Sequence, residues 1–158
     1  VDVDATPVLS RGVIVTAGYA TGLVGLSASD GAVLWTVPGE AFTTPGVSDD
    51  GILYAPQATG RLTAVEVSSG TVLWSVQLRS GTPSRPVVAQ GYILVPTERS
   101  LLVCDAHTGR VRTSFDDGFG FAAPPVVERS PGPVGTRGAG GQRVYLSSNS
   151  GQLYTLNF

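Results

Sequence analysis

The chain has 158 residues, of which 42% are hydrophobic and 14% are charged, a balance typical of one folded domain with its own core. Ten basic and twelve acidic residues give a formal net charge of -2, so no broad positive field favours nucleic acid or anionic lipid. No apolar stretch approaches the roughly 20 residues that a membrane-spanning helix needs. We therefore expect neither a nucleic-acid partner nor a membrane span.

Two short motifs recur along the chain at the same interval. A turn glycine followed by a hydrophobic strand occupies residues 29–35, 68–74 and, more loosely, 107–113, so that its glycines stand 39 residues apart. A proline followed by apolar residues has nearly the same spacing, and it stands at Pro7, Pro45, Pro86 and Pro125. Two independent motifs that share one interval predict a repeated structural unit.

Each repeat contains short apolar runs that are separated by glycine-containing turns. In the second repeat the predicted strands are 45–48, 52–55, 62–65 and 72–76. Glycine suits these turns because it adopts positive φ readily, and no window has helical periodicity without an interrupting Gly or Pro. The fourth repeat ends before a fourth strand. The sequence therefore predicts an all-β chain of 15 strands in four blades, at about 5–42, 43–81, 82–121 and 122–158.

Four strands in about 40 residues is the period of a β-propeller blade. The chain resembles the PQQ-like, or quinoprotein-type, propeller repeat family. The resemblance rests on the Pro-Val-Val first strand, on the glycine that precedes each second strand, and on the turn glycine whose strand ends in Trp. The resemblance covers essentially the whole chain. Within this family, the chain is similar to the propeller lipoprotein of the outer-membrane β-barrel assembly machinery.

The resemblance also implies roles for three aromatic residues. In the family a tryptophan lies between adjacent blades, which implies blade-docking positions at Trp35 and Trp74. A tryptophan can bury a large apolar area against such a neighbour. The third repeat has Thr113 at this position, and we expect Phe115, on the same strand face, to substitute.

An incomplete fourth blade would leave apolar faces and sheet edges in water. We therefore expect that the chain pairs with a second copy or forms part of a larger ring. Eight blades from two copies is the preferred count, because similar propellers have seven or eight. The fourth repeat also carries a Gly- and Pro-rich insertion at 129–141, which predicts a mobile surface loop, with a loop that grips a partner as the alternative.

No residue pattern predicts a catalytic, metal or cofactor site. His107 stands at a variable turn position, and Cys104 aligns with Val65, which favours a buried thiol. Paired aspartates lack the spacing of a calcium loop, and turn formation explains them. The family's dehydrogenases hold a quinone between a tryptophan and a vicinal disulfide, with calcium nearby. A chain with a single cysteine cannot form that disulfide, so we expect no cofactor.

These observations favour a non-enzymatic interaction or scaffold module with a protein partner. Its role would be similar to that of the assembly-machinery lipoprotein or of sensor propellers attached to bacterial kinases. The candidate partner contacts are Arg79, Arg85 and Arg99. Low charge and abundant Ser, Thr and Gly indicate a periplasmic, cell-envelope or secreted setting. Part of a quinoprotein-like dehydrogenase or another propeller enzyme is the alternative, and carbohydrate or peptide binding on the rim is a weaker one.

Overall fold

The computed structural model describes residues 5–129 and 141–157, and within these ranges the chain is all β. The strands form separate antiparallel sheets in which each strand pairs with the next along the chain. In the described ranges there are three sheets of four strands and one sheet of three. This arrangement confirms the predicted all-β fold and agrees with a partial propeller.

The strands follow the repeats closely. The first sheet contains β1 (Val8–Ser10), β2 (Val13–Gly18), β3 (Gly22–Ser27) and β4 (Val33–Val37). The second contains β5 (Gly46–Val47), β6 (Ile52–Pro56), β7 (Arg61–Glu66) and β8 (Val72–Gln77). The third contains β9 (Val87–Ala89), β10 (Tyr92–Pro96), β11 (Leu101–Asp105) and β12 (Val111–Phe115). The fourth contains β13 (Val126–Arg129), β14 (Gln142–Ser147) and β15 (Leu153–Asn157).

The predicted first strand of the second repeat, 45–48, is longer than the observed β5. Pro45 has no N–H to donate to a neighbouring strand. At the other end, the backbone N–H of Ser48 donates to the carbonyl of Ile52 at 2.9 Å, and this bond belongs to the turn that follows. Only Gly46 and Val47 therefore pair with β6.

The same turn joins the third and fourth strands of each complete sheet. Its glycines, Gly31, Gly70 and Gly109, have φ of 74°, 72° and 68°, in the left-handed region that other residues adopt at a cost. A shift in strand register also recurs at equivalent places, at Gly25/Leu26, Ala64/Val65 and Val103/Cys104. The sequence repeat is thus also a repeat of backbone geometry.

Each pair of neighbouring sheets encloses its own hydrophobic core. Leu23 of the first sheet packs in one cluster with Leu53 of the second, and Leu62 of the second packs with Ile93 of the third. The third cluster joins Leu101 of the third sheet to residues of the fourth. The first strands of successive sheets lie next to one another, so β1, β5, β9 and β13 line a common axis.

The outer faces of the first and fourth sheets expose apolar side chains. Leu153 of β15 is 71% exposed, although Leu23 and Leu62 at the equivalent positions are fully buried by the next sheet. On the first sheet, Leu9 is 65% exposed. In the described part of the chain, no neighbouring sheet covers these two open faces as it does the equivalent faces elsewhere.

The loops lie at two rims because strand direction alternates within each sheet. We define rim 1 by the loops that join neighbouring sheets, 38–45, 78–86 and 116–125, together with the loops between second and third strands, 19–21, 57–60, 97–100 and 148–152. Rim 2 consists of the loops between first and second strands, 11–12, 48–51 and 90–91, and between third and fourth strands, 28–32, 67–71 and 106–110. Most of the predicted insertion at 129–141 lies outside the described residues, as do Val1 to Asp4.

Candidate interaction surfaces

Each of the two tryptophans contacts the next sheet through the same kind of hydrogen bond. The indole N–H of Trp35 donates to the carbonyl of Val67 at 2.8 Å, and that of Trp74 donates to the carbonyl of Ala106 at 3.2 Å. The third residue of the predicted set, Phe115, contacts Tyr154 of the fourth sheet edge to face, with ring centroids 5.0 Å apart. All three predicted docking residues therefore lie at contacts between neighbouring sheets.

Glycine is required where an indole covers the turn. A Cβ added at Gly70 would lie 2.7 Å from the Trp35 ring, and one added at Gly109 would lie 2.5 Å from the Trp74 ring. The equivalent Gly31 of the first sheet has nothing within 4 Å of such a Cβ. The first sheet thus presents the same turn without an indole on it.

Two of the three predicted contact arginines lie together on rim 1. Arg79 and Arg99 are exposed and line one cavity of about 320 Å³, with Thr59 and Ser80 between the second and third sheets. Ser80 accepts or donates hydrogen bonds with Thr97 at 3.1 Å and with Ser100 at 2.6 Å, which ties the loop that carries Arg79 to the loop that carries Arg99. We call this feature the outer cavity.

The third predicted arginine lies nearer the axis on the same rim. Arg85 lines a cavity of about 540 Å³, here called the axial cavity, to which loops of all four sheets contribute. Its other lining residues include the carboxylate of Glu98 and several hydroxyl groups, among them those of Thr6, Thr44, Thr82 and Ser84. Within the described ranges, Arg79, Arg85 and Arg99 form no ion pair. Their guanidinium groups are therefore available to a partner.

The aspartates of the turns mainly order the backbone. Asp105 accepts hydrogen bonds from the backbone N–H groups of His107 and Thr108 at 3.1 and 3.0 Å. Arg112 donates to the same carboxylate at 2.8 Å, and this bond together with that from Thr108 lowers the pKa of Asp105 to about 2. Of the paired aspartates for which the sequence predicts turn formation, Asp116 accepts from the backbone N–H of Gly118 at 2.7 Å and Asp117 from that of Phe119 at 3.0 Å.

Neither His107 nor Cys104 has the surroundings of a catalytic group. Cys104 is fully buried in the core between the second and third sheets, and this burial raises the pKa of its thiol to about 12. His107 is exposed on a rim 2 turn. Among the described residues, no group of three or more His, Cys, Asp or Glu side chains could hold a metal ion.

A groove on rim 2 was not predicted from the sequence. It lies between the second and third sheets, has a volume of about 500 Å³, and is lined by Asp49, Asp50, Tyr54, Trp74 and Gln142 among others. One difference between the repeats could have indicated the groove. Arg11 precedes Gly12 in the first repeat, and the shorter, acidic Asp50 precedes Gly51 in the second.

The same repeat is found in known proteins. A family model of PQQ-like repeats, described as outer membrane protein assembly factor BamB, matches residues 21–158. The chain belongs to this family. The match confirms the resemblance to PQQ-like propeller repeats that the sequence predicts.

Individual relatives extend well beyond this chain. The serine/threonine-protein kinase AfsK of Streptomyces griseus is 32% identical over 158 residues, covering 93% of this chain and 19% of the kinase. Outer membrane protein assembly factor BamB of Yersinia pestis is 30% identical over 129 residues, covering 80% of this chain and 33% of that protein. The crystal structure of BamB from Moraxella catarrhalis has a TM-score of 0.76 at 17% identity, covering 99% of this chain and 44% of that one. The chain spans about a fifth of the kinase and a third of the Yersinia protein.

The described ranges contain no helix that is long and apolar enough to cross a membrane.

Proposed function

We propose that this PQQ-like propeller module is a non-enzymatic interaction scaffold that contacts a protein partner through rim 1. The observation that carries the proposal is the set of three unpaired guanidinium groups on one rim, Arg79 and Arg99 at the outer cavity and Arg85 at the axial cavity. Arginine is enriched at protein interfaces because its planar fork binds carboxylates with two hydrogen bonds and its stem adds apolar contact. The partner surface should therefore present carboxylates.

The relatives support a bacterial setting for this module. BamB is named as an outer membrane protein assembly factor, which supports a scaffold role in the cell envelope or outside it. The likeness to the kinase AfsK supports a second arrangement, in which the propeller is the sensor part of a longer kinase chain. In both arrangements the propeller would bind a partner, and neither arrangement requires it to catalyse a reaction.

The residues of this chain do not fit the quinone site of the family's dehydrogenases. That site needs a vicinal disulfide, and this chain has one cysteine. It also needs a tryptophan stacked on the quinone at the axis, but both indoles here donate to carbonyls of a neighbouring sheet. Calcium would need a cluster of oxygen ligands, and the described residues provide no group of three or more acidic side chains for it.

Charge reversal with a matched control tests the proposal. A photo-reactive amino acid at the exposed Thr59, which lines the outer cavity, should cross-link the partner in the source cells, and the partner band can then be identified by mass spectrometry. The double variant Arg79→Glu/Arg99→Glu should abolish that band, because it places carboxylates against a carboxylate-bearing surface. The control Arg110→Glu makes the same change at an exposed residue of rim 2 and should leave the band unchanged.

Two results would overturn the proposal. One is a cross-linked band that survives the double reversal, since the partner would then not depend on the arginines. The other is a rise in melting temperature when pyrroloquinoline quinone and calcium are added, because a ligand that binds the folded state stabilises it by mass action. That rise would favour the dehydrogenase alternative.

A further inference from the structure

Two grooves on rim 2 are built from equivalent parts of the repeat. The first groove lies between the first and second sheets beside Trp35, and the second groove lies between the second and third sheets beside Trp74. In each, the indole contacts the turn of the next sheet, at Gly70 in the first groove and at Gly109 in the second. The two grooves can therefore be compared, although the turn that ends at Gly12 has two residues, 11–12, and the turn that ends at Gly51 has four, 48–51.

An arginine of the chain itself occupies the first groove. Arg11, which precedes Gly12 in the first sheet, extends over Gly51 of the second sheet, and a Cβ added at Gly51 would lie 2.5 Å from its Nε and 2.7 Å from its Cδ. Trp35, beside it, is only 9% exposed. The guanidinium group and its stem thus cover the turn that follows the first strand of the next sheet.

The second groove lacks this side chain. Asp50 precedes Gly51 as Arg11 precedes Gly12, and its side chain is too short to cover the next turn. Among the described residues, nothing lies within 4 Å of a Cβ added at Gly91. The result is the open volume of about 500 Å³ that Gly91 and Trp74 line. Trp74 is correspondingly more exposed than Trp35.

The lining of the second groove is suited to a cation. Asp49 and Asp50 provide carboxylates, and no arginine is among its lining residues in the described part of the chain. Trp74 presents a half-buried indole to the groove and packs on the buried Tyr54, with ring centroids 5.9 Å apart. A cation over such an indole is attracted by its electrostatic field. Gln142 also lines the groove, and its side-chain oxygen is buried without a hydrogen bond from the described residues.

We propose that the second groove binds an arginine side chain of a partner protein, in the place that Arg11 takes in the first groove. Arginine fits better than lysine because its planar guanidinium group can stack on the Trp74 indole while it donates two parallel hydrogen bonds to the Asp50 carboxylate. The site is on rim 2, so it is separate from the function proposed for rim 1 and does not depend on it. It also differs in chemistry, because rim 1 offers cations and the second groove accepts one.

The two tryptophans provide a test with an internal control. Each gives one indole N–H signal in a ¹⁵N-correlated NMR spectrum, and the chain has no others. Titration of the 158-residue chain with the peptide acetyl-Gly-Arg-Gly-amide should shift the Trp74 signal until it saturates. The Trp35 signal should stay in place because Arg11 already occupies its groove. The matched peptide with citrulline, which has the same shape without the charge, should shift neither.

Three variants sharpen the test. Asp50→Asn should weaken the affinity for the peptide roughly fivefold, as expected when one partner of an exposed ion pair is neutralised. Asp50→Arg should abolish the shift by placing an arginine in the groove from within the chain. Arg11→Asp should create a second responsive site, so that the Trp35 signal also shifts. The dispersion of the amide signals shows for each variant whether the fold is intact.

Three outcomes would overturn the proposal. One is a Trp74 signal that does not move at any peptide concentration. Another is an equal response to the citrulline peptide, which would mean that charge is not recognised. The last is an Asp50→Arg variant that is folded and still responds like the wild type, which would place the peptide elsewhere.

Discussion

The indole N–H of Trp35 donates to the backbone carbonyl of Val67, 2.8 Å away and in the next sheet. Val67 is fully buried, and its own N–H donates to the carbonyl of Gly51 at 3.0 Å. One side chain therefore satisfies a buried carbonyl and covers apolar surface between two sheets. Trp74 repeats this contact on Ala106 with a longer bond and more exposure.

We predict that Trp35→Phe destabilises the fold more than Trp74→Phe. Phenylalanine keeps most of the apolar contact but cannot donate, so the Val67 carbonyl would remain buried without its partner. Such a loss costs about 1–3 kcal/mol, with the upper part of the range expected for Trp35 and the lower part for Trp74. Urea unfolding followed by far-ultraviolet circular dichroism measures both. Equal losses would show that the hydrogen bond to Val67 is not what distinguishes the two sites.

Gly70→Ala and Gly31→Ala should differ although the two backbones are alike. Their φ values are 72° and 74°, so both variants bear the cost of about 1–2 kcal/mol for a side chain in the left-handed region. Only Gly70 lies under an indole, where the new Cβ would be 2.7 Å from the Trp35 ring. Overpacking of this kind adds about 1–3 kcal/mol. Thermal or urea unfolding of the pair should therefore show the larger loss for Gly70→Ala, and equal losses would contradict the contact.

Local features of the fold could be read from the sequence because they depend on residues close together in the chain. The turn glycines, the strands between them and the tryptophans of the first two repeats recur at a fixed interval. Phe115 was identified by strand alternation alone, and it contacts Tyr154 of the next sheet. Ser48 shows the limit of this reasoning, since the sequence does not reveal that its N–H donates to the carbonyl of Ile52 in the turn.

The grouping of side chains across sheets could not be predicted in the same way. The sequence predicts that Arg79, Arg85 and Arg99 are exposed cations, but their division between an outer and an axial cavity follows from how neighbouring sheets pack. The reach of Arg11 over Gly51 depends on the same packing. A repeat interval gives the order of the sheets and carries no information on the space between them.

The buried thiol of Cys104 should resist alkylation in the native state. Burial raises its pKa from 9.0 to about 12, so almost no thiolate forms near neutral pH. Because the folded-state pKa is the higher one, this group's contribution to stability is full below pH 9 and is lost as the pH rises towards 12. Iodoacetamide labelling followed by mass spectrometry should show slow modification that accelerates in denaturant. Rapid labelling of the folded chain would contradict the burial.

Asp105 should titrate unusually low, and Arg112 should be the main reason. Its pKa is lowered from 3.8 to about 2, first by the hydrogen bond from Arg112. The stabilising effect is therefore present above pH 3.8 and is lost as the pH falls through about 2. Arg112→Gln should move the NMR titration midpoint of the Asp105 carboxyl up towards its ordinary value, without restoring it fully, because Thr108 still donates. An unchanged midpoint would mean that the hydrogen bonds of the turn alone lower the pKa of Asp105.

The open faces of the first and fourth sheets should make the isolated chain self-associate. Leu9 and Leu153 are 65% and 71% exposed, at positions that neighbouring sheets bury elsewhere. Covering one leucine contributes about 1.5–3 kcal/mol, so an exposed face of this kind favours a second copy. Light scattering should give a native mass near twice 16.2 kDa.

Leu153→Glu should then lower that mass towards the monomer, because a carboxylate on the face would have to be desolvated on association. The matched control is Phe119→Glu, which changes an equally apolar residue that is 62% exposed in a rim 1 loop and away from both open faces. If the faces drive association, only the first variant dissociates. A wild-type chain that stays at 16.2 kDa at high concentration would show that the open faces do not bind each other, and closure of the ring would then require further blades.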